Sequence, residues 1–108
     1  MAATHKKLSS GVLGTTAGDI YAPTVKGLVK TIILHNTGSA DEEVKVYFGT
    51  ASATADEVLR VTLEGYETFE WSLGHILVVD GTSSSGVKLT GESATANTTS
   101  YFIFGAQE

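Results

Sequence analysis

The feature that most constrains the fold of this chain is an alternation of apolar and polar side chains with a period of two residues. It is clearest in the segments Val44–Phe48, Leu59–Leu63 and Phe69–Leu73. Such alternation places the apolar set on one face of a strand that is covered on that side only. In the third segment, a register shift of one residue would bury Glu70 and expose Trp71, so the pattern also selects the register.

Three further segments are apolar at nearly every position: Leu28–Leu34, Ile76–Val79 and Tyr101–Phe104. Their β-branched and aromatic content, their shortness and the turn residues around them favour strands over buried helices. A strand that is apolar on both faces needs cover on both. In a small sheet protein the second cover comes from an end loop or from a neighbouring subunit, so these segments point to an oligomer.

Shorter strands are predicted at Leu8–Leu13, Asp19–Tyr21 and Val87–Thr90, between turns rich in Gly, Asn, Asp and Ser. No window has the periodicity of an amphipathic helix. The sequence therefore predicts an all-β protein: a compact antiparallel β-sandwich, jelly-roll-like, with about eight strands. A partly open barrel is the alternative. A chain of 108 residues allows one domain, which we assign to residues 13–108 behind a flexible N-terminal arm at residues 1–12.

Composition excludes several classes of protein. The chain has no Cys and a formal net charge of −5, which argues against a disulfide scaffold, a Cys-based zinc site and a basic nucleic-acid binder. No apolar run approaches the roughly 18 residues of a membrane helix. The N-terminus lacks the apolar core of a signal peptide, so we expect synthesis in the cytoplasm.

Signals for catalysis are weak. His35, His75 and Asp80 supply the ligand types of a non-haem iron site, but not at the close spacing that metal-binding jelly rolls use. No serine nucleophile motif or phosphate-binding glycine motif occurs. We therefore predict no enzyme activity, no catalytic residue, no cofactor and no metal. A sugar-binding module that stacks Tyr21 or Tyr66 on a sugar ring is an alternative.

Part of the chain resembles small virion-associated proteins of tailed bacteriophages. The resemblance is one of pattern and composition, and it extends from about residue 28 to the end. The segments that carry it are Lys30–Thr37, Val44–Phe48, Glu67–Glu70, Ile76–Val79, Val87–Thr90, Glu92–Ala96 and Tyr101–Glu108.

This resemblance implies a non-enzymatic protein of the virion. Its expected function is capsid decoration, or cement, in which it binds the major capsid protein or another virion protein and stabilises the head. We expect a homo-oligomer, with a trimer favoured, and no nucleic-acid or membrane partner. The arm would make the contact through Lys6, Lys7, Leu8 and Val12. A phage neck, tail or fibre-tip component and a carbohydrate-binding β-sandwich remain alternatives.

Overall fold

A computed structural model describes residues 4–49, 56–82 and 87–107 of the chain. Regular structure in these residues consists of eight β-strands. In chain order they are β1 (Thr4–Val12), β2 (Gly18–Tyr21), β3 (Lys26–Asn36), β4 (Glu42–Gly49), β5 (Glu57–Leu63), β6 (Thr68–Asp80), β7 (Lys88–Ser93) and β8 (Thr99–Gln107). The described part of the chain contains no helix with the length and apolarity to cross a membrane.

The strand pairings are those of a long antiparallel hairpin that has been rolled up. Strand β1 pairs with β8, β2 with β7, β3 with β6 and β4 with β5. Rolling adds the pairs β3·β8 and β4·β7, which complete two sheets in the orders β1-β8-β3-β6 and β2-β7-β4-β5. This is the topology of an eight-stranded jelly roll, and it confirms the predicted fold class.

The hydrophobic core lies between the two sheets and is built by the predicted alternation. Val44 and Val46 are fully buried, while Lys45 between them is half-buried on the other face. Phe69 and Trp71 pack against the core and Glu70 is exposed, as the register argument requires. The other fully buried apolar side chains are Val29, Ile32, Leu34, Leu63, Val79, Leu89 and Ile103.

Strand β6 joins two segments that the sequence analysis treated as separate strands. Ser72 pairs with Thr31 and Leu77 pairs with Val29, so residues 73–76 of β6 lie opposite Lys30 alone. The intervening residues thus form a wide bulge within one continuous edge strand. Bulges of this kind interrupt pairing and redirect side chains without ending the strand.

Residues 4–12, which the sequence analysis assigned to an N-terminal arm, form strand β1; residues 1–3 lie outside the described part. The strand pairs with β8 from Thr4↔Gln107 to Val12↔Ser100. The glycine that suggested flexibility has a packing role, because a Cβ at Gly11 would lie 2.9 Å from the Oη of Tyr101. The small residues of β1 therefore make room for the large ones of β8.

At one end of the sandwich, which we call the loop end, the turns 13–17, 37–41, 64–67 and 94–98 are joined by hydrogen bonds. Asn36 is fully buried at their centre. Its Nδ2 lies 2.7 Å from the carbonyl oxygen of Ala40 and 3.1 Å from that of Glu64. Its Oδ1 accepts a hydrogen bond from the backbone N–H of Gly38. One side chain therefore connects the β3–β4 turn to the β5–β6 turn.

Candidate protein-binding surface

The outer face of the β1-β8-β3-β6 sheet, which we call face A, carries a group of large apolar side chains. Ile33 of β3 pairs with Phe102 of β8, and Leu28 of β3 pairs with Val78 of β6. Val78 is 44% exposed, and Ile76, two residues before it, is 53% exposed. Leu28, Ile33, Phe102 and Phe104 are half-buried, although no other layer in the described part of the chain covers this face. A group of large apolar side chains on one face of this kind is typical of an interaction surface.

The outer face of the β2-β7-β4-β5 sheet, face B, is polar, and its charged groups have partners. Lys88 Nζ lies 2.8 Å from Asp19 Oδ1, and Arg60 pairs with Glu57 at 2.9 Å. The guanidinium of Arg60 donates hydrogen bonds to the Glu57 carboxylate and lowers its pKa.

Tyr47 extends the same pattern on face B. Its hydroxyl donates a hydrogen bond to the Glu92 carboxylate, which with burial raises the pKa of Tyr47 to about 12. Because the neutral phenol is the donor in this bond, loss of its proton would place two negative charges together. Face B therefore satisfies its own polar groups.

A groove crosses face A where β1, β8 and β3 lie side by side. Its lining residues are Lys6, Lys7, Lys30, Thr31, Phe104 and Gly105. Two bulges shape it: Lys30 is the extra residue between Val29 and Thr31 of β3, and Leu8 is the extra residue between Lys7 and Ser9 of β1. We call it the lysine groove.

The lysines of this groove have no acidic partner within the described part of the chain. The three ion pairs found there involve Lys45, Arg60 and Lys88, all of face B or its edge. Lys6, Lys7 and Lys30 are exposed. Face A thus carries a local positive charge on a chain whose formal net charge is −5.

The four predicted interface residues are divided between two faces of β1. Lys6 and Lys7 line the groove, and Val12 is 53% exposed. Leu8 is half-buried and packs against the core, so it is not available as a surface anchor. Lys30 and Phe104 were not singled out from the sequence. Gly105 of β8 is a sequence signal for the bulge in β3. The backbone of β3 passes so close to it that a Cβ at residue 105 would lie 1.9 Å from the carbonyl oxygen of Leu28.

The histidine set considered in the sequence analysis does not come together. His35 pairs with Thr68 at one end of the eleven-residue strand β3, and Asp80 pairs with Lys26 at the other end, a separation of roughly 30 Å. His35 Nδ1 lies 2.8 Å from Thr68 Oγ1, and the pKa of Asp80 is lowered by hydrogen bonds from Thr82. The side chain of His75 lies outside the described residues. Within those residues, no three His, Cys, Asp or Glu side chains are grouped so that they could hold a metal ion.

The two tyrosines considered for sugar stacking differ in exposure. Tyr21 is buried, and its hydroxyl donates a hydrogen bond to Gln107 Oε1 at 2.9 Å. Burial raises the pKa of the Tyr21 hydroxyl. The Tyr66 side chain is 65% exposed at the loop end. Only the Tyr66 ring is therefore open to a ligand.

Tyr66 also has an unfavourable backbone conformation. The N–H of Glu67 donates to the carbonyl oxygen of Glu64 at 3.0 Å, which closes a four-residue turn with Tyr66 at its third position and φ 61°. Turns of this kind favour glycine there, and another residue costs about 1–2 kcal/mol. The glycine of this turn is at its second position, residue 65. Only glycine fits there, because a Cβ at Gly65 would lie 2.3 Å from the carbonyl oxygen of Ser39.

Comparisons with protein-family models, with curated proteins and with solved structures found no match. The resemblance to phage virion proteins therefore stays a prediction from the sequence. The features that bear on the function are the chemistry of the two outer faces and of the loop end.

Proposed function

We propose that this chain is a non-enzymatic structural protein that binds another protein through face A, and that its setting is the particle of a tailed bacteriophage. The observation that carries the proposal is the contrast between the two outer faces. Face B pairs its own charges, whereas face A leaves Ile76 and Val78 in water and three lysines unpaired. Among the described residues, face A exposes two neighbouring apolar side chains whose burial by a partner would be favourable, whereas face B exposes Val58 alone.

The magnitudes are those of a binding surface with several weak contacts. Full burial of an exposed Ile or Val side chain contributes roughly 1.5–3 kcal/mol. Because association also costs translational and rotational freedom, two such residues alone do not give tight binding. A protein that binds a particle in many copies does not need tight single contacts if the copies are linked to one another.

The proposed setting has two sources of support. One is the resemblance described above, which implies capsid decoration, with the major capsid protein or another virion protein as partner. The other is the jelly roll itself, an architecture found in viral capsid domains and in lectins. This second support is an analogy of fold, and a fold does not determine a function. A position at the neck, tail or fibre tip would use the same face.

The test is co-sedimentation with undecorated phage heads. The wild-type chain is expected to saturate at a fixed number of copies per capsomer. The double variant Ile76→Thr, Val78→Thr is expected to bind at least about tenfold more weakly. Val58→Thr is the matched control, because Val58 is also an exposed strand valine, 40% exposed, but belongs to the other sheet. Failure of the wild-type chain to bind heads would remove the decoration role, and equal binding by the double variant would remove face A.

A further inference from the structure

The turn at residues 64–67, which we call the acidic tip, joins an exposed aromatic ring to two carboxylates. Glu64 and Glu67 are exposed, and neither forms an ion pair with any residue in the described part of the chain. The backbone N–H of Tyr66 donates to the carbonyl oxygen of Gly38, which attaches the tip to the neighbouring turn. The tip is therefore a fixed, convex and negatively charged projection.

Folding of a single chain does not account for the tyrosine in this turn. Its backbone lies in the left-handed region, and its ring gains little from packing while it is 65% exposed. Strained residues that the surrounding structure holds in place are concentrated at sites of contact. An exposed aromatic ring held in this way is suited to bury its face against a partner.

The lysine groove has the complementary properties. It is concave, Lys6, Lys7 and Lys30 are among its lining residues, and Phe104 contributes an aromatic wall. Carboxylates at a tip attract such ammonium groups, and a tyrosine ring packs well against lysines and a phenylalanine. The positive charge of the groove complements the carboxylates of the acidic tip, and both surfaces carry an aromatic ring.

We propose that the acidic tip of one copy of this chain binds in the lysine groove of a second copy. The proposal rests on the proposed function in that it assigns part of face A to a neighbouring copy. It leaves Ile76 and Val78 for the other protein. The link between copies is also what a multivalent particle protein requires.

The tip cannot reach the groove of its own chain. Lys30 lies about 20 Å along β3 from the loop end, on the outward face of the sheet. A symmetric contact of two grooves would bring lysines against lysines, which disfavours that arrangement. The contact is therefore head-to-tail, so each copy uses one tip and one groove. Such contacts build a closed ring, of which the expected trimer is one case, or an open filament.

Sedimentation velocity tests the contact. We expect wild-type protein to form species heavier than the 11.3 kDa chain, and added salt to weaken them. Lys30→Glu is expected to weaken association about tenfold or more. Lys88→Glu, a matched charge reversal on face B, is expected to associate as the wild type does. A wild-type chain that stays monomeric at every concentration, or a Lys30→Glu chain that associates normally, would overturn the proposal.

A mixing experiment tests the head-to-tail arrangement. Lys30→Glu retains an intact tip and Tyr66→Gly retains an intact groove, so each variant alone is expected to associate at least about tenfold more weakly than the wild type. Mixed together, they are expected to form a complex of one chain of each that grows no further. Absence of this complex, or growth beyond two chains, would contradict the arrangement. Circular dichroism of each variant confirms that it is folded.

The two proposals fail in different experiments. A chain that associates with itself but does not bind phage heads would overturn the proposed setting and leave the tip and groove contact in place. A chain that binds heads as a monomer would overturn the tip and groove contact alone.

Discussion

Faces A and B of the sandwich are made by the same alternation of residues, but they differ in how the outward side chains are satisfied. On face B, Lys88 meets Asp19, Arg60 meets Glu57, and Tyr47 donates to a carboxylate. On face A, aromatic and aliphatic side chains lie beside lysines that have no acidic partner in the described structure. The alternation determines which side chains point outward. The chemistry of those side chains determines whether their charged groups are paired within the chain and whether apolar surface stays exposed to water.

The largest expected effect is on the free energy of unfolding. It comes from Asn36 at the loop end, which belongs to neither outer face. Asn36→Ala removes the buried amide that joins two turns at the loop end and leaves the carbonyl oxygens of Ala40 and Glu64 without it. We expect the free energy of unfolding to fall by about 3 kcal/mol, because three hydrogen bonds of one buried amide are lost together, including the buried bond to the carbonyl oxygen of Leu63. Urea unfolding measures this.

Asn97→Gly is the control for this change, since Asn97 is an exposed asparagine at φ 62° where glycine is well accommodated. Its effect should be within about 0.5 kcal/mol. An unfolding midpoint of Asn36→Ala equal to that of the wild type would show that the amide does not hold the turns together.

The second prediction separates binding from folding on face A. Ile33→Thr and Phe102→Thr replace a half-buried cross-strand pair by residues that keep a high strand propensity. We expect each to lower the free energy of unfolding by about 1 kcal/mol, as measured by urea unfolding. We also expect each to weaken association with phage heads about tenfold, as measured by co-sedimentation. Thr62→Val, the opposite kind of change on face B, should leave association unchanged. If Thr62→Val changed association as much as Ile33→Thr or Phe102→Thr, the proposed difference between face A and face B would be wrong.

The third prediction concerns the strained turn. Tyr66→Gly should raise the free energy of unfolding by about 1 kcal/mol, because glycine adopts φ 61° without a steric penalty. Thermal unfolding measures the change. Tyr66→Ala is the control, since it removes the ring but keeps the Cβ that causes the strain, and it should not be stabilised. A Tyr66→Gly chain less stable than the wild type would mean that the ring stabilises the free chain.

The last prediction concerns face B and depends on pH. The pKa of Tyr47 is raised to about 12, mainly by its hydrogen bond to Glu92, whereas an unfolded tyrosine has a pKa of about 10. A raised pKa means that the stabilisation is complete below about pH 10 and is lost as the pH rises through 12. Tyr47→Phe should therefore flatten the loss of stability between these pH values. Identical pH profiles, measured by urea unfolding, would contradict the assignment.

Much of the fold could be predicted from local pattern. The alternation around Val44 and Val46 indicated their burial, and the doubly apolar segments indicated strands that need cover on both faces, from an end loop or from a neighbouring subunit. The pairing of β1 could not be predicted in this way. Its Ser and Gly residues look flexible in sequence, but they lie against Tyr101 and Phe102 of β8, about 90 residues away in the chain. Long-range pairing is not encoded in local propensity.

The candidate site could be predicted only in part, for reasons specific to its residues. Lys6, Lys7 and Val12 are exposed as expected, but the bulge at Leu8 turns that side chain to the core. Lys30 lies in the groove because β3 has one extra residue opposite β8. The alternation of residues along β3 alone does not indicate this bulge. Glu42 lies in a run of three acidic residues, Asp41–Glu43, yet it is buried and accepts a hydrogen bond from the backbone N–H of Thr95.

Covalent labelling of lysines compares the two faces in one sample. The protein would be acetylated when dilute and when assembled, with itself or on phage heads, and the rate at each lysine followed by mass spectrometry. On assembly we predict slower labelling of Lys6, Lys7 and Lys30, with Lys45 and Lys88 of face B unchanged. Slower labelling of Lys45 and Lys88, with the three groove lysines unaffected, would contradict the claim that face A is the surface through which this protein binds.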